Sequence, residues 1–192
     1  MNWWSAVLLV VAVVVLVWQR AVYRRRLNSV GERLREALEC AANGIERDPL
    51  TGIESRSSLE RRMEEPCGAG IVAVLDLDNF RRLNELLGHL GGDEVLRAIG
   101  HFLQASIRQE DRAFRWGGDE FVLLFSNLEA AVVRQRMALI EERLRHFQIR
   151  NYGEVELGLS WGMAQTGTRP LRDCLDAADR AMFALKRGRT QV

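Results

Sequence analysis

The chain is short of cysteine, of net charge and of repetition, and each shortage removes a class of protein. Its 192 residues include three cysteines, Cys40, Cys67 and Cys174. They are odd in number and without metal-ligand spacing, which argues against a disulfide framework or a zinc module and suits a reducing cytoplasm. They read instead as small core or linker residues. The formal net charge is +1 at pH 7, whereas a nucleic-acid-binding domain carries a basic excess to meet phosphates. There is no internal repeat and no low-complexity tract beyond a valine-rich start. With that start and a following linker set aside, about one domain's worth of chain remains, enough for a single core.

The start is itself informative. From Trp3 to Trp18 there is no charged residue, and Trp3, Trp4 and Trp18 mark both ends as an aromatic belt would. As a helix the segment is about 24 Å long against a hydrocarbon core of about 30 Å, so it spans with help from its flanks. A cleaved signal peptide is the rival, but Met1-Asn2 offers no basic n-region and no small-x-small cleavage site precedes the arginines. We therefore expect an uncleaved transmembrane anchor over residues 1–22. Arg20, Arg24, Arg25 and Arg26 follow it, which places the rest of a single-pass inner-membrane protein in the cytoplasm. Over 23–46, Leu27, Val30, Leu34, Leu38, Ala41 and Ile45 recur at steps of three and four, the pattern of an amphipathic linker helix. Two readings stay open for it: a short parallel coiled coil that pairs two copies, or a helix packed on its own domain. The repeat is under three heptads, and membrane confinement would raise the effective concentration of a partner.

Two patterns in residues 47–192 carry chemistry. Gly70-Ile71-Val72-Ala73-Val74-Leu75 is a continuous apolar run that reads as a strand buried on both faces, and it ends in Asp76 and Asp78. A buried carboxylate is costly unless a cation meets it. Mg²⁺ suits the task, since it is a hard ion that takes oxygen ligands and fills its shell with water and phosphate. Further on, Arg112-Ala113-Phe114-Arg115-Trp116 and Phe121-Val122-Leu123-Leu124-Phe125 flank Gly117-Gly118-Asp119-Glu120. This predicts a hairpin with a two-residue Gly-Gly turn at positive φ. Alone, an Asp-Glu pair at a turn is ordinary solvated chemistry. If the hairpin lies beside the Asp76 strand, Asp76 and Asp119 can converge on one ion. Neighbours on a strand point to opposite faces, so either the strand distorts or one acid alone reaches the metal, and Asp119 is the favoured one.

Hydrophobic periodicity predicts helices over 57–65, 81–87, 92–108, 128–147 and 171–186 and a strand over 155–164, besides the Asp76 strand and the hairpin. The fold class is α/β (α+β), with a mostly antiparallel central sheet flanked by helices.

Several short motifs follow one another in a fixed order: Asp48-Pro49-Leu50-Thr51-Gly52, then Asp76-Leu77-Asp78-Asn79-Phe80-Arg81 with Asn84, Gly88-His89 and Gly92-Asp93-Glu94, then Gly117-Gly118-Asp119-Glu120-Phe121, Ser160-Trp161-Gly162, and Ala178-Asp179 through Lys186-Arg187-Gly188-Arg189. In this the region from Arg47 to Val192 resembles a GGDEF domain, the catalytic module of diguanylate cyclases. The resemblance implies a nucleotidyl-cyclase or polymerase palm-like fold and a homodimer that condenses two GTP into cyclic di-GMP with release of pyrophosphate. It implies metal ligands at Asp76, the carbonyl of Leu77 and Asp119, holding Mg²⁺ or Mn²⁺. Asp119 or Glu120 would help remove the proton from the attacking 3′-hydroxyl. Arg81, where the family usually carries Lys, would stabilise the transferred phosphate, and the helix N-terminus before it would cradle phosphates. Asn84 and Asp93 would read guanine, an amide and a carboxylate suiting its acceptors and its N–H donors. His89 would contact the substrate, and Lys186 and Arg189 would hold the β- and γ-phosphates. Arg108 and Asp111, by themselves a common helix-end ion pair, match an inhibitory site for cyclic di-GMP.

Four positions depart from the family pattern: Ser55 for Asn, Glu85 for Asp, Trp161 for a smaller aliphatic, and a Lys186 to Arg189 spacing one residue short. A missing helical residue turns one cation by about 100° relative to the other. A second reading therefore stays open, a domain that binds GTP or cyclic di-GMP and signals without catalysis.

Overall fold

The computed structural model describes residues 3, 18–20 and 46–190, with side chains through Arg187. The chain divides into two units, Met1–Ile45 and Glu46–Val192. The anchor expected over 1–22 and the linker over 23–46 lie almost wholly outside the described residues. Among the described residues no helix is long and apolar enough to cross a membrane.

In chain order the second unit contains α1 (Arg56–Glu60), β1 (Gly70–Asp78), α2 (Phe80–Ser106), β2 (Arg112–Arg115), β3 (Glu120–Ser126), α3 (Ala130–Arg145), β4 (Phe147–Ile149), β5 (Gly153–Val155), β6 (Gly158–Gln165) and α4 (Leu171–Thr190). Four strands form one sheet in the order β2-β3-β1-β6, every pair antiparallel. The apolar run of β1 takes a central place because both of its faces are covered. Ile71, Ala73, Leu75 and Leu77 pack with Val95, Ile99 and Leu103 of α2 and with Val133, Met137 and Ile140 of α3. Val72 and Val74 pack on the other side against Leu171, Cys174, Ala178 and Met182 of α4. Cys174 is buried in this second core and Cys67 lies at its rim, both as free thiols, in keeping with the small-residue role expected from their scarcity.

The structure refines the sequence boundaries where tertiary contacts compete with periodicity. The helices expected over 81–87 and 92–108 are the two arms of α2, broken at Gly88, whose φ of 72° and ψ of 167° no helix contains. A residue with a Cβ is strained there, which is why the break falls on glycine. The helix expected over 57–65 ends earlier, at Glu60, and Ser55 caps it by accepting from Ser58 N. The strand expected from Val155 starts at Gly158 instead. Val155 belongs to β5, which pairs with β4 in a separate two-stranded ribbon. The ribbon turns through Asn151 and Gly153, both at positive φ, and Phe147 is held edge-on against Phe102 of α2 at 5.4 Å. That long-range contact has no sequence signal, so periodicity carried the preceding helix through Phe147.

Candidate active site

The acids gather at one end of the sheet because of its register. β1 and β3 pair so that Asp76 lies opposite Glu120, and β1 and β6 pair so that Asp76 lies opposite Ser160. Side chains alternate along a strand, so Asp76 shares the face of Val72 and Val74, and Glu120 shares that of Val122 and Leu124, toward α4. The acid directly across from Asp76 is thus Glu120. Asp119, one residue earlier, lines a cavity on the α2 side, while its carbonyl accepts from Leu77 N at 3.2 Å. Asp119 precedes β3 and Glu120 begins it, so the two adjacent acids stand in different surroundings, the cavity for Asp119 and the facing strand position for Glu120. Asp78 is steadied by Ser160, whose hydroxyl donates to Asp78 Oδ1 at 2.7 Å.

The acids affect one another. Burial, then the charges of Asp76, Asp119 and Asp179, raise the Glu120 carboxyl above its ordinary 4.5, with Lys186 partly offsetting them. Lys186 reaches from α4 and donates to Asp76 Oδ1. Burial pulls its ammonium down, but the hydrogen bond and charge of Asp76, with Asp78 and Asp119, outweigh that and leave it raised. Among the described residues no three His, Cys, Asp or Glu side chains are grouped so as to hold a metal by themselves. The donor chemistry nevertheless fits Mg²⁺, which is commonly bound by one or two carboxylates and completed by water and substrate phosphates. A crowded set of carboxylates that lifts the pKa of one member is short of positive charge.

The hairpin is not the two-residue turn that the sequence suggests. Arg115 pairs with Phe121, Trp116 N and Gly117 N both donate to Glu120 O, and neither Gly117 nor Gly118 lies in the left-handed region. What shapes the loop is Arg115, to which no local pattern in the sequence assigns a role. Its Nε donates to Gly117 O at 3.1 Å and its Nη2 to Gly118 O at 2.9 Å. Its Nη1 reaches Asp48 Oδ1 at 3.1 Å, and Asp48 is fixed in turn by the backbone N–H and hydroxyl of Thr51. The only sequence signal for this strut was the Asp48-Pro49-Leu50-Thr51 motif, 67 residues away from Arg115.

The cavity beside Asp119 has a volume of about 610 Å³ and is lined by Arg81, Asn84, His89 and Asp93, among others. All four of these expected substrate contacts therefore meet in one place. Asn79 caps α2 without a side-chain bond and in a left-handed conformation, φ 58°. The first-turn N–H groups of α2 thus take no bond from the cap side chain, as a phosphate cradle requires. Asn84 holds its amide in its present position because residue 92 is glycine, since a Cβ there would stand 1.8 Å from Asn84 Oδ1. Arg81 is exposed and pairs with Glu85 at 3.4 Å. Trp161, the bulky departure, finds a partner in α3, its Nε1 donating to Glu141 Oε2 at 3.0 Å. The backbone is helical through Thr190, so Lys186 and Arg189 lie on one helix; the side chain of Arg189 is outside the described residues.

Arg108 and Asp111 are brought together but not as a pair of free side chains. Arg108 is exposed and lies 3.7 Å from Glu110. Asp111 is fully buried at its carboxylate, which accepts from Arg108 N, from Ser126 N and from Arg136 Nη1. The structure thus gives Asp111 a different task from meeting a guanine edge: it ties the end of α2 to β3 and α3. Arg136, in α3, was not singled out from the sequence, because nothing in its spacing points 25 residues back to Asp111.

Residues 45–191 match the family model described as "Diguanylate cyclase, GGDEF domain". The chain is 34% identical over 149 residues to the diguanylate cyclase DgcP of Pseudomonas aeruginosa, covering 73% of this chain and 22% of that protein. It is 34% identical over 153 residues to the diguanylate cyclase DgcS of Shewanella oneidensis, covering 72% and 49%. The chain thus spans less than half the length of these two curated relatives. The crystal structure of the coiled coil and GGDEF domain of DgcB from Caulobacter crescentus, in complex with c-di-GMP, is similar at a TM-score of 0.69 and 27% identity, over 87% of this chain and 95% of that one.

Proposed function

The chain belongs to the GGDEF-domain family of diguanylate cyclases, and on that premise we propose that it condenses two GTP into cyclic di-GMP with release of pyrophosphate. One observation carries the reading: Asp76, Asp119 and Glu120 meet at one end of the sheet, beside a cavity lined by Asn84, His89 and Asp93. Asn84 and Asp93 hold the guanine, one accepting and donating, the other accepting from the N–H edge. Arg81 and the open N-terminus of α2 face the phosphates. The 3′-oxygen of one GTP attacks the α-phosphorus of the other, the bond to the β-phosphate breaks, and the hydroxyl proton passes to Asp119 or Glu120. Asp76, the Leu77 carbonyl and Asp119 would hold Mg²⁺, or Mn²⁺ in its place. When bound, the ion neutralises charge on the phosphates.

Each domain binds one GTP, so the active unit is a homodimer whose two sites face each other. Residues 1–22 anchor it in the inner membrane with the catalytic domain in the cytoplasm, and cyclic di-GMP restrains it through the exposed Arg108, whose backbone N–H the buried Asp111 holds in place. A second reading, a domain that binds GTP or cyclic di-GMP without turnover, is favoured by the ion pair that occupies Lys186. The test is to incubate the purified chain with GTP and Mg²⁺ and to look for cyclic di-GMP against an Asp119→Ala control. Product from the native chain alone supports the cyclase. A folded dimer that yields none selects the second reading.

A further inference from the structure

Lys186 holds the carboxylate that a divalent cation would need. Its Nζ donates to Asp76 Oδ1, and the Asp76 side chain is only 18% exposed, whereas that of Lys186 is 40% exposed. The acid is fixed in the sheet, and the base stands on the rim with room to leave. Among the described residues Asp76 meets one side-chain cation, drawn from α4 rather than from its own sheet. An ammonium and a divalent cation on one carboxylate repel each other at this short range, so each weakens the hold of the other. Lysine suits a contact that must break. Its charge is compact, its stem flexible, and its three donors need no fixed orientation, unlike the planar fork of arginine.

We infer that Lys186 is an exchangeable counter-ion at Asp76: the ammonium occupies the carboxylate until a divalent cation displaces it, and the displaced side chain then takes a nucleotide phosphate. The inference rests on the cyclase reading above and deepens it. It joins two roles that compete for one side chain, since the ammonium that grips a phosphate cannot at the same time neutralise Asp76. The consequence is a coupling between ligands. A metal arriving alone must break the Lys186–Asp76 contact, while a metal arriving with a triphosphate brings the displaced ammonium a phosphate partner. Each ligand therefore strengthens the binding of the other, and by the same factor. Metal without nucleotide is held weakly.

The test uses the full chain and Mn²⁺ alone, with free Mn²⁺ followed by its electron paramagnetic resonance signal. Lys186→Met removes the competing charge and binds Mn²⁺ roughly fivefold tighter than the native chain, the factor corresponding to a partly exposed ion pair. Lys186→Arg keeps the charge and leaves the affinity near native. Lys186→Gln provides the same comparison as the Met variant should that one fail to fold. With a non-hydrolysable GTP analogue added, Mn²⁺ affinity rises in the native chain and rises less in Lys186→Met. Uncharged variants that bind Mn²⁺ no more tightly than the native chain overturn the exchange. Asp76→Asn separates this from the underlying reading. If it loses Mn²⁺ while the Lys186 variants do not tighten, the metal site stands and the exchange falls. If it binds Mn²⁺ as the native chain does, the metal does not sit at Asp76 and both fall.

Discussion

Replacing Arg115 by methionine removes four hydrogen bonds at once, two to the carbonyls of Gly117 and Gly118 and two to Asp48. Both ends of the ion pair are mostly out of water, at 16% exposure for Arg115 and 17% for Asp48. Breaking a fully buried pair from one side costs about 3–5 kcal/mol. Here Asp48 keeps its bonds to Thr51, so we expect about 2–3 kcal/mol, read by urea unfolding at pH 7. The full test is a double-mutant cycle with Asp48→Asn, in which the coupling energy should reach about 1–2 kcal/mol. The pH dependence gives an independent check. Burial raises the Asp48 carboxyl, but the Thr51 hydroxyl, the Thr51 N–H and Arg115 together outweigh it and leave it below its ordinary 3.8. A depressed carboxylate contributes stability that is full above its unfolded value and lost as pH falls through the folded one. Asp48→Asn should therefore flatten the stability profile below pH 3.8 and leave its slope at neutral pH unchanged. Turnover should fall by about tenfold or more at a temperature where the variant is folded, because a small displacement of the acids is costly to catalysis. A coupling energy below about 0.3 kcal/mol, the scatter expected of independent sites, would refute the strut.

Gly92→Ala places a methyl group 1.8 Å from Asn84 Oδ1, so it should weaken GTP binding by about tenfold by forfeiting one good hydrogen bond, with a melting temperature near native; unchanged GTP affinity by calorimetry would count against the seating of Asn84. Glu120→Gln should abolish turnover and raise the melting temperature at pH 7. The reason is that a carboxyl raised in the fold contributes stability present below its unfolded 4.5 and lost as pH rises through the folded value; a lower melting temperature argues that the carboxylate is instead satisfied. Asp111→Asn leaves Arg136 facing an uncharged partner, since the carboxylate is wholly buried, and should cost about 2–4 kcal/mol in urea unfolding; a loss under about 0.5 kcal/mol, typical of surface positions, would contradict its tying role.

What was legible in the sequence was whatever local rules carry. Gly88 separates two helical arms because its backbone leaves the helix, and a reading that ended one helix at Leu87 and began another at Gly92 found the break without knowing its dihedrals. Ser55, a departure from the family pattern in the sequence, serves as the cap of α1. The apolar run to Asp76 reads as a doubly buried strand because it has no polar face to turn to water, and it lies between β3 and β6. The ribbon of β4 and β5 escaped because its strands are three residues each and its anchor, Phe102, is far away in sequence. The Gly-Gly turn was assigned positive φ because that is what such a link adopts between free strands, whereas here Arg115 and Asp48 impose another path.

Which residues carry charge, where the strands must be apolar, and that acids come at the ends of two of them follow from the order of residues alone. It could not determine which acid faces which, since that depends on the register of β1 against β3, set by strands more than 40 residues apart. Only the tertiary structure put Glu120 opposite Asp76, turned Asp119 to the cavity with Asn84 and Asp93, and brought Lys186 from the last helix onto Asp76. The physical reason is that a side chain's chemistry is a property of its residue, but its partner is a property of distance, and pairing distances are fixed by packing across the whole sheet.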